Sequence, residues 1–372
     1  MTGQNFGEDP MEREKGEKDG RDQFGVAKEL FPERPANSCS AIALLSGGLD
    51  SSLAVKMMID QGIAVTAIHF TSPFCNCTSK KAGCKHQAVK VAHEFGVPIR
   101  VIHKGMDYMR IVENPPHGYG RGLNPCIDCR IYMLKKVKEM MAASQSSFVI
   151  TGEVLGQRPM SQHRVAIRKI EKESGLEGLI LRPLSARYFS PTIPEQEGIV
   201  DREKLLAFSG RSRKPQIDLA GRLGVKDYPC PAGGCLLTDP VIAARLRDLF
   251  AHVSDYDLVD LHLLKIGRHF RLQPGLKIIL GRNQLENEQL QTLTRPGSLL
   301  FKPFDFRGPT CLATGNGNNE AERMIGEIIA RYSQEEKPRY QIKKQILGKG
   351  ETLFFVEKKF SKEGRTRLQI GG

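Results

Sequence analysis

Short apolar runs alternate with helical patterns through most of the first 240 residues. Residues 41–45 form an apolar run that ends at Ser-Gly-Gly, which predicts a strand buried on both faces of a parallel sheet. After it, apolar residues recur at helical spacing at Leu53, Ala54, Met57 and Met58. Further strands are predicted at residues 63–70, 99–102, 148–150 and 179–181, and further helices at residues 86–95 and 127–143. This alternation predicts a doubly wound α/β fold with a parallel sheet.

The alternation ends near residue 240. From there, strand patterns at residues 269–272, 277–280 and 298–301 mix with helical patterns at residues 283–293 and 319–332. This mixture predicts a smaller α+β domain. The predicted organisation is therefore a lead over residues 1–36, a catalytic domain over residues 37–240 and a basic domain over residues 241–372. Alternating acidic and basic residues with Gly and Pro predict that the lead is disordered.

Composition narrows the class of protein. Hydrophobic residues make up 40% of the 372 residues, and no apolar run approaches the roughly 20 residues that a membrane-spanning helix needs. No membrane association is therefore expected. The formal net charge of +13 favours a polyanionic partner without identifying one. Nine cysteines without a signal peptide favour a reducing compartment, and we expect a cytoplasmic protein.

The clearest chemical motif follows the first predicted strand. Its residues are Ser46, Gly47, Gly48, Leu49, Asp50, Ser51 and Ser52. The two glycines lack Cβ atoms, so backbone N–H groups at a helix N-terminus can approach phosphate oxygens, and the hydroxyls can donate to them. Phosphate would repel Asp50, so this residue is expected to hold Mg²⁺ or to cap the helix. A Gly-Gly turn with a polar cap is the alternative.

This loop resembles the Ser-Gly-Gly-X-Asp-Ser signature of the PP-loop ATP pyrophosphatases. The resemblance implies an adenine nucleotide alpha hydrolase-like fold that binds ATP, cleaves it between the α- and β-phosphates and adenylates a substrate oxygen. It also implies that His69 and Phe70, at the end of the second strand, lie near the nucleotide. Core packing would explain Phe70 equally well. A Walker-type loop would need Gly-Lys-Ser/Thr, which is lacking here.

A second motif follows the fourth predicted strand. Residues 151–157 read Thr-Gly-Glu-Val-Leu-Gly-Gln and resemble the Thr-Gly-Glu-X-Leu-Gly-Gln stretch of tRNA 4-thiouridine synthetases. In that family the stretch borders the ATP site, which implies that Gly152 contacts the nucleotide. A tight turn at a strand end is the alternative explanation for the glycines.

Two groups of cysteines lie on opposite sides of this motif in the sequence. Cys126 and Cys129 stand at a predicted helix start, where the helix dipole stabilises a thiolate. Cys230 and Cys235 lie in a Pro- and Gly-rich loop. The first segment resembles the Asn-Pro-X-X-X-Cys segment of bacterial tRNA 2-thiouridylases, and Gly234-Cys235 resembles the segment that holds their second cysteine. The resemblance implies that Cys129 and Cys235 are the paired, catalytic sulfur-handling residues.

Cys126 leaves the chemistry of these thiols open, because its position holds Asp in some members of the family and Cys in others. A [4Fe–4S] cluster on Cys126, Cys129 and Cys235 would leave one iron open for sulfide, and it ranks first. A persulfide relay would need only Cys129 and Cys235, with a persulfide carrier protein as the sulfur donor. A zinc site would add Cys230 as a fourth ligand.

A further group of metal-ligand types follows the second predicted strand. It contains Cys75, Cys77, Cys84 and His86. Four such side chains within twelve residues favour a small structural Zn²⁺ site, although the spacing departs from common zinc patterns. A flexible insertion with incidental thiols is the equal alternative.

The last third of the chain carries signs of RNA contact. Residues 281–290, which begin Gly-Arg-Asn, resemble a segment of the RNA-binding domain in NFACT proteins. Arg268, Arg271 and a Lys-rich tail would supply contacts to RNA phosphates. A solvated basic hairpin is the alternative for the tail.

These features favour a tRNA sulfurtransferase that uses ATP to replace a uridine carbonyl oxygen with sulfur. The second hypothesis is a PP-loop enzyme that acts on a small molecule, by forming an amide or by thiolating a metabolite. The third is a non-catalytic RNA-binding module. Amide formation has no use for Cys126, Cys129 and Cys235, and the intact phosphate loop argues against a non-catalytic module.

Overall fold

The computed structural model describes residues 39–75, 84–226, 228, 235–315 and 317–371. The predicted lead and residues Cys77 and Cys230 lie outside these ranges. A five-stranded, all-parallel sheet in the order β3-β2-β1-β4-β5 forms the first domain. Its strands are β1 (Ser40–Leu44), β2 (Ala64–Thr71), β3 (Ile99–His103), β4 (Phe148–Thr151) and β5 (Ile180–Leu181).

Helices cover both faces of this sheet. They are α1 (Leu49–Ile59), α2 (Cys84–Glu94), α3 (Met106–Glu113), α4 (Cys126–Ser144), α5 (Arg164–Ser174), α6 (Ile193–Gln196) and α7 (Lys214–Leu223). Ala41 and Ala43 of β1 pack in a core with residues of α1, α2 and α7, whereas Ile42 packs on the opposite face with residues of α4 and α5. The doubly wound fold predicted from the sequence is therefore confirmed.

An antiparallel sheet of seven strands forms the C-terminal part, in the order β11-β10-β8-β9-β7-β6-β12. Its elements are β6 (Arg268–Gln273), β7 (Leu276–Leu280), α10 (Gln284–Thr292), β8 (Leu299–Pro303), β9 (Cys311–Gly315), α11 (Asn319–Arg331), β10 (Tyr340–Ile346), β11 (Gly350–Val356), α12 (Lys362–Leu368) and β12 (Gln369–Ile370). The prediction of a smaller α+β domain is confirmed.

The two faces of this second sheet are covered to different extents. Helix α11 packs its apolar side, including Ile325 and Ile329, on a core that reaches from β6 to β11. On the other face, Leu290 of α10 packs against the middle strands β7, β8 and β9. The hairpin of β10 and β11 therefore has one face on the core, while its other face extends beyond the cluster under α10.

Two helices lie between the sheets, α8 (Pro240–His252) and α9 (Leu258–Leu263). Apolar residues of α8, including Leu246, share a buried cluster with Phe74 and Tyr108 of the first domain. Arg245 of α8 donates hydrogen bonds to the carbonyls of Leu264 at 2.7 Å and Gly267 at 2.9 Å, just before β6. Helix α8 thus contacts residues of the first domain and the segment that leads into the second sheet, and the boundary at residue 240 stays a prediction.

Candidate active site

The loop after β1 has the geometry of an anion-binding helix start. Gly48 caps α1 in an extended conformation, and the hydroxyls of Ser51 and Ser52 donate to its carbonyl at 2.9 and 3.1 Å. The hydroxyls of Ser46 and Ser51 lie 3.0 Å apart. The first turn of α1 is therefore closed by its own serines, and Gly48 supplies no side-chain cap for the N–H groups at the helix start.

At two positions near this loop, the backbones of neighbouring segments lie so close together that only glycine fits. Gly47 has a φ of +77°, and a Cβ atom there would lie 2.7 Å from the backbone nitrogen of Ala88 in α2. A Cβ atom on Gly152, after β4, would lie 2.5 Å from both the carbonyl carbon of Asp50 and the nitrogen of Ser51. The end of β4 therefore touches the backbone of the phosphate loop, which explains why the two sequence motifs occur together.

Asp50 lies in a half-buried position between polar side chains of three segments. Its Oδ2 accepts a hydrogen bond from the Gln157 amide at 3.1 Å, and its Oδ1 is buried without a partner among the described residues. Burial raises the pKa of the carboxyl group, while Gln157 and the charges of Arg213 and Arg158 act in the opposite direction. A carboxylate oxygen left without a partner fits a ligand for Mg²⁺.

His69 and Phe70 differ in their surroundings. The Nδ1 of His69 lies 2.8 Å from the carbonyl oxygen of Leu45 and donates to it, so Nε2 is an acceptor, buried and without a partner in the described part of the chain. Burial lowers the pKa of His69 and favours the neutral ring. Phe70 packs against the core on the α4 side of the sheet. Nucleotide contact by either residue stays a prediction.

Cys129 lies in the first turn of α4, beside a buried lysine that follows β3. Lys104 Nζ donates to the Cys129 sulfur at 3.0 Å and also lies 4.7 Å from the centre of the Tyr108 ring. Burial opposes the charged form of Cys129, but the Lys104 charge and the Tyr108 hydrogen bond outweigh it and lower the pKa of the thiol. Burial raises the pKa of Tyr108 well above its usual range, so its hydroxyl stays a donor. This arrangement stabilises a Cys129 thiolate.

Cys235 is held among loops that end at the same edge of the sheet. The nitrogen of Leu236 donates to the Phe74 carbonyl at 3.0 Å, and the nitrogen of Leu123 donates to the Leu237 carbonyl at 2.9 Å. Burial raises the pKa of the Cys235 thiol to about 11, and the charges of Cys129 and Cys75 act in the same direction. Cys235 is thus a protonated thiol near a thiolate.

Arg158 connects the phosphate loop with the cysteines electrostatically. Burial is the largest influence on Asp50 and on Cys126 and raises the pKa of each, and the positive charge of Arg158 opposes it at both residues. The charge of Cys129 further raises the pKa of Cys126. The two sequence motifs therefore share one charged side chain, which lies within electrostatic reach of both.

A buried cluster of ion pairs links the residues after β4 to the first turns of α4. Glu153, which follows Gly152, accepts from Arg182 at 2.9 Å and pairs with Arg130 at 3.2 Å. Burial alone would raise the pKa of Glu153, but the two arginines outweigh it and lower the value. Because Arg130 adjoins Cys129, this cluster ties the residues after β4 to the helix turn that carries the thiols.

The predicted metal sites are not represented by a compact ligand group. Within residues 39–75, 84–226, 228, 235–315 and 317–371, no three His, Cys, Asp or Glu side chains are grouped closely enough to hold a metal ion. His86 is exposed on α2, and Cys77 lies outside the described residues. The iron–sulfur cluster on Cys126, Cys129 and Cys235 and the zinc site that includes Cys75 both stay predictions.

Sequence reasoning missed several residues of this site. They are Lys104, Tyr108, Gln157, Arg158, Arg213 and Gln216. Lys104 and Tyr108 belong to no motif and differ in no way from ordinary surface and core residues when read along the chain. Gln157 closes the Thr-Gly-Glu-Val-Leu-Gly-Gln motif, so that motif is the signal available for it.

Two family models match separate parts of the chain. Residues 36–187 match the family model described as thiamine biosynthesis protein (ThiI). Residues 267–364 match the model described as the NFACT protein RNA-binding domain. The first match contains the phosphate loop, Gly152 and the Cys126–Cys129 turn, and the second contains most of the antiparallel sheet.

Curated relatives align with parts of the chain. A tRNA-specific 2-thiouridylase MnmA of Fervidobacterium nodosum is 32% identical over 126 residues, which cover 29% of this chain and 35% of the relative. A "Probable tRNA sulfurtransferase" of Thermoanaerobacter sp. is 34% identical over 120 residues, covering 32% and 30%. Another protein with that name, from Anoxybacillus flavithermus, is 28% identical over 202 residues, covering 45% and 49%. The chain thus spans between 30% and 49% of the length of these relatives.

Among solved structures, a 4-thiouridine synthetase in complex with RNA and ATP aligns at 20% identity and a TM-score of 0.32, covering 50% of this chain and 52% of that one. None of the helices in the described ranges is both long and apolar enough to cross a membrane. The two family matches agree with the fold: residues 36–187 are similar to the ThiI family, and residues 267–364 are similar to the RNA-binding domain of NFACT proteins.

Proposed function

We propose that this protein is an ATP-dependent tRNA sulfurtransferase that adenylates a uridine carbonyl oxygen and replaces it with sulfur. One observation carries the proposal: the end of β4 touches the phosphate loop at Gly152, and the next residue, Glu153, pairs at 3.2 Å with Arg130 beside Cys129, so the loop and the thiols share one edge of the parallel sheet. Ligands of open α/β sheets bind at this carboxyl edge, where the strand order reverses between β1 and β4. The RNA-binding domain supports tRNA as the substrate.

ATP fits the loop between β1 and α1. The N–H groups at the start of α1 would bind phosphate oxygens, and Gly47 and Gly152 leave no Cβ atom in the way. Asp50 would hold Mg²⁺, which offsets phosphate charge when it is bound, through the oxygen that has no protein partner among the described residues. Arg158 and Arg213, close enough to Asp50 to influence its ionisation, would contact the pyrophosphate as it leaves.

Cys129 and Cys235 would play different roles in sulfur transfer, because the pKa of Cys129 is lowered and that of Cys235 is raised. The Cys129 thiolate takes a sulfur atom from a persulfide donor, whose own thiol leaves, and thereby becomes a persulfide. The terminal sulfur attacks the adenylated carbon of the base and AMP leaves, so that a C–S–S–Cys129 linkage forms. Cys235 then attacks the Cys129 sulfur, the Cys129–Cys235 disulfide forms, and the thiobase departs. The proton that Cys235 loses ends on the base nitrogen, and an external dithiol reduces the disulfide.

The direct test combines product analysis with cysteine variants. With ATP, Mg²⁺, tRNA and a persulfide donor, the protein is expected to release AMP and pyrophosphate and to form a thiouridine detectable by nucleoside mass spectrometry. Cys129→Ala and Cys235→Ala are expected to lose thiouridine but to keep the fold. ADP and orthophosphate as products would refute the PP-loop chemistry. Pyrophosphate release without any thionucleoside would favour a small-molecule substrate.

Cys126 separates the persulfide route from the cluster route. In the persulfide route, Cys126→Ala is expected to retain most activity in colourless, iron-free protein. In the cluster route, anaerobically purified protein would contain iron, and Cys126→Ala would lose both the iron and the activity. Iron content and the visible spectrum therefore decide between the two routes independently of turnover.

A further inference from the structure

The β10–β11 hairpin and the adjoining end of β8 share one face, here called the hairpin face, which carries two phenylalanines and two lysines. Its residues are Lys302, Phe304, Gln341, Lys343, Leu353 and Phe355. Phe304, Leu353 and Phe355 are 53%, 48% and 57% exposed. The strand register brings these residues together, because Gln341 pairs with Phe355, Lys343 pairs with both Leu353 and Lys302, and the nitrogen of Phe304 donates to the Gln341 carbonyl at 2.9 Å.

The residues of the hairpin face do not belong to the hydrophobic core of this domain. The alternate residues of the same strands, Ile342, Phe354 and Val356, already pack under α11 on the other side. The helix that covers the outer side, α10, packs on the middle strands, where its Leu290 shares a cluster with Leu300 of β8. Phe304 and Phe355 are therefore not needed to build the core, and their exposure calls for another explanation.

The charges on the hairpin face favour an anionic partner. Lys343 Nζ lies 5.8 Å from the centre of the Phe304 ring and pairs with Glu351 at 2.8 Å. Lys302 Nζ is bound by the neutral amide of Gln291 at 2.6 Å, so this partner leaves its charge uncompensated. Lys302 and Lys343 lie opposite each other in the β8–β10 register. Burial and the Lys343 charge lower the pKa of Lys302, while the Glu351 carboxylate acts in the opposite direction. Two lysines share one carboxylate here, so the pair retains net positive charge for a phosphate.

We propose that the hairpin face is a stacking platform for unpaired RNA nucleotides, in which Phe304 and Phe355 stack on bases and Lys302 and Lys343 contact phosphates. Flat aromatic side chains interleaved with lysines on a sheet are suited to single-stranded nucleic acid, because every base has a face that can stack. A duplex hides those faces, so unpaired segments are selected. The inference rests on the proposed function only for the identity of the RNA.

The test measures binding of a fluorescently labelled oligouridine of about ten nucleotides to the full-length protein by anisotropy. Phe304→Ala and Phe355→Ala are each expected to weaken binding about tenfold, a typical loss for one base–aromatic contact. Phe355→Tyr, which keeps the ring, is expected to bind like the wild type. Lys343→Gln is expected to reduce the slope of log affinity against log salt by about 0.7, the value for one phosphate of a single strand.

Controls separate stacking from general apolar contact. Val165→Ala removes a side chain that is 72% exposed on α5 of the other domain, and unchanged affinity is expected. Phe304→Leu and Phe355→Leu keep the strand apolar but lose the ring, so weaker binding with an unchanged Tm supports stacking. The affinity for a blunt-ended RNA duplex, which has no unpaired bases, is expected to change little with either substitution.

Two results would overturn the proposal. One is equal oligouridine affinity for the wild type and both Phe→Ala variants. The other is loss of a concentration-dependent dimer in those variants without any change in RNA affinity, which would make the hairpin face a contact between two copies of the chain. Failure of the proposed function looks different: oligouridine would still bind through the two phenylalanines, while tRNA would acquire no thiouridine in any variant.

Discussion

The contact between Gly152 and the phosphate loop provides a sharp test of the nucleotide site. In Gly152→Ala, the new methyl group would lie 2.5 Å from the carbonyl carbon of Asp50 and from the nitrogen of Ser51, and 2.6 Å from the Asp50 oxygen. All three atoms belong to the backbone, so no side-chain rotation can relieve the overlap. The end of β4 and the start of α1 must therefore move apart.

The size of the effect follows from this geometry. Overpacking of a tight contact costs about 1–3 kcal/mol. For a domain of about 200 residues, that cost corresponds to a fall in Tm of about 2–12 °C. Moving the loop by a fraction of an ångström misplaces the phosphates relative to the group they react with, and we expect ATP cleavage to fall about 10- to 100-fold.

The assay pairs Tm with the rate of pyrophosphate release, and the chain offers a matched control. Gly221 lies exposed in α7, and no atom lies within 4 Å of the place that a Cβ atom on it would occupy. Gly221→Ala is therefore expected to keep full activity and to stabilise the helix by about 0.5–1 kcal/mol. Wild-type Tm and wild-type turnover in Gly152→Ala would refute the reasoning.

Three further predictions concern charged residues. Burial raises the pKa of Asp50, so the fold is most stable with respect to this group below pH 3.8 and loses stability as the pH rises through the raised pKa. Asp50→Asn removes the buried charge and should therefore raise Tm at neutral pH. The same substitution should abolish pyrophosphate release. Lys104→Met should raise the pKa of Cys129 and shift the acid limb of the pH–rate profile for thiolation to higher pH, whereas an unshifted limb would contradict the ion pair. Arg245→Met should lower stability by about 2–4 kcal/mol, measured by denaturation, because two buried carbonyls lose their donors.

Periodicity predicts the long elements well. The apolar pattern predicts a helix at residues 127–143, and α4 runs from Cys126 to Ser144, because its inward apolar positions recur over several turns. The predicted ends of strands β1 and β2 lie within a residue of their observed ends, since buried parallel strands read as continuous apolar runs. The sequence also predicts the phosphate loop well, because the residues that form it, 46–52, are consecutive.

The sequence predicts short helices and long-range contacts between charged side chains less well. Helix α3 has only eight residues, Met106–Glu113, and its buried residues Tyr108, Met109 and Val112 span little more than one turn, which is too short for a periodic pattern to stand out. The role of Lys104 depends on a partner 25 positions away, and no local pattern reports such a contact. The sequence groups Cys75 with its neighbours, whereas the fold also brings its charge to bear on Cys235, 160 positions later. Contacts of this kind depend on how the strands and helices are arranged in the fold, so no local sequence pattern predicts them.

The buried cluster around α8 limits how the two domains can be recombined. The segment from Leu236 to Thr238, which directly follows Cys235, joins α8 and packs with it against Phe74 and Tyr108. A cut at residue 240 would expose this apolar surface beside the thiols, so loss of thiolation in such a fragment would not by itself measure the contribution of RNA binding. For the same reason, a chimera that transplants the antiparallel sheet onto another PP-loop domain needs α8, α9 and a matching surface to receive them.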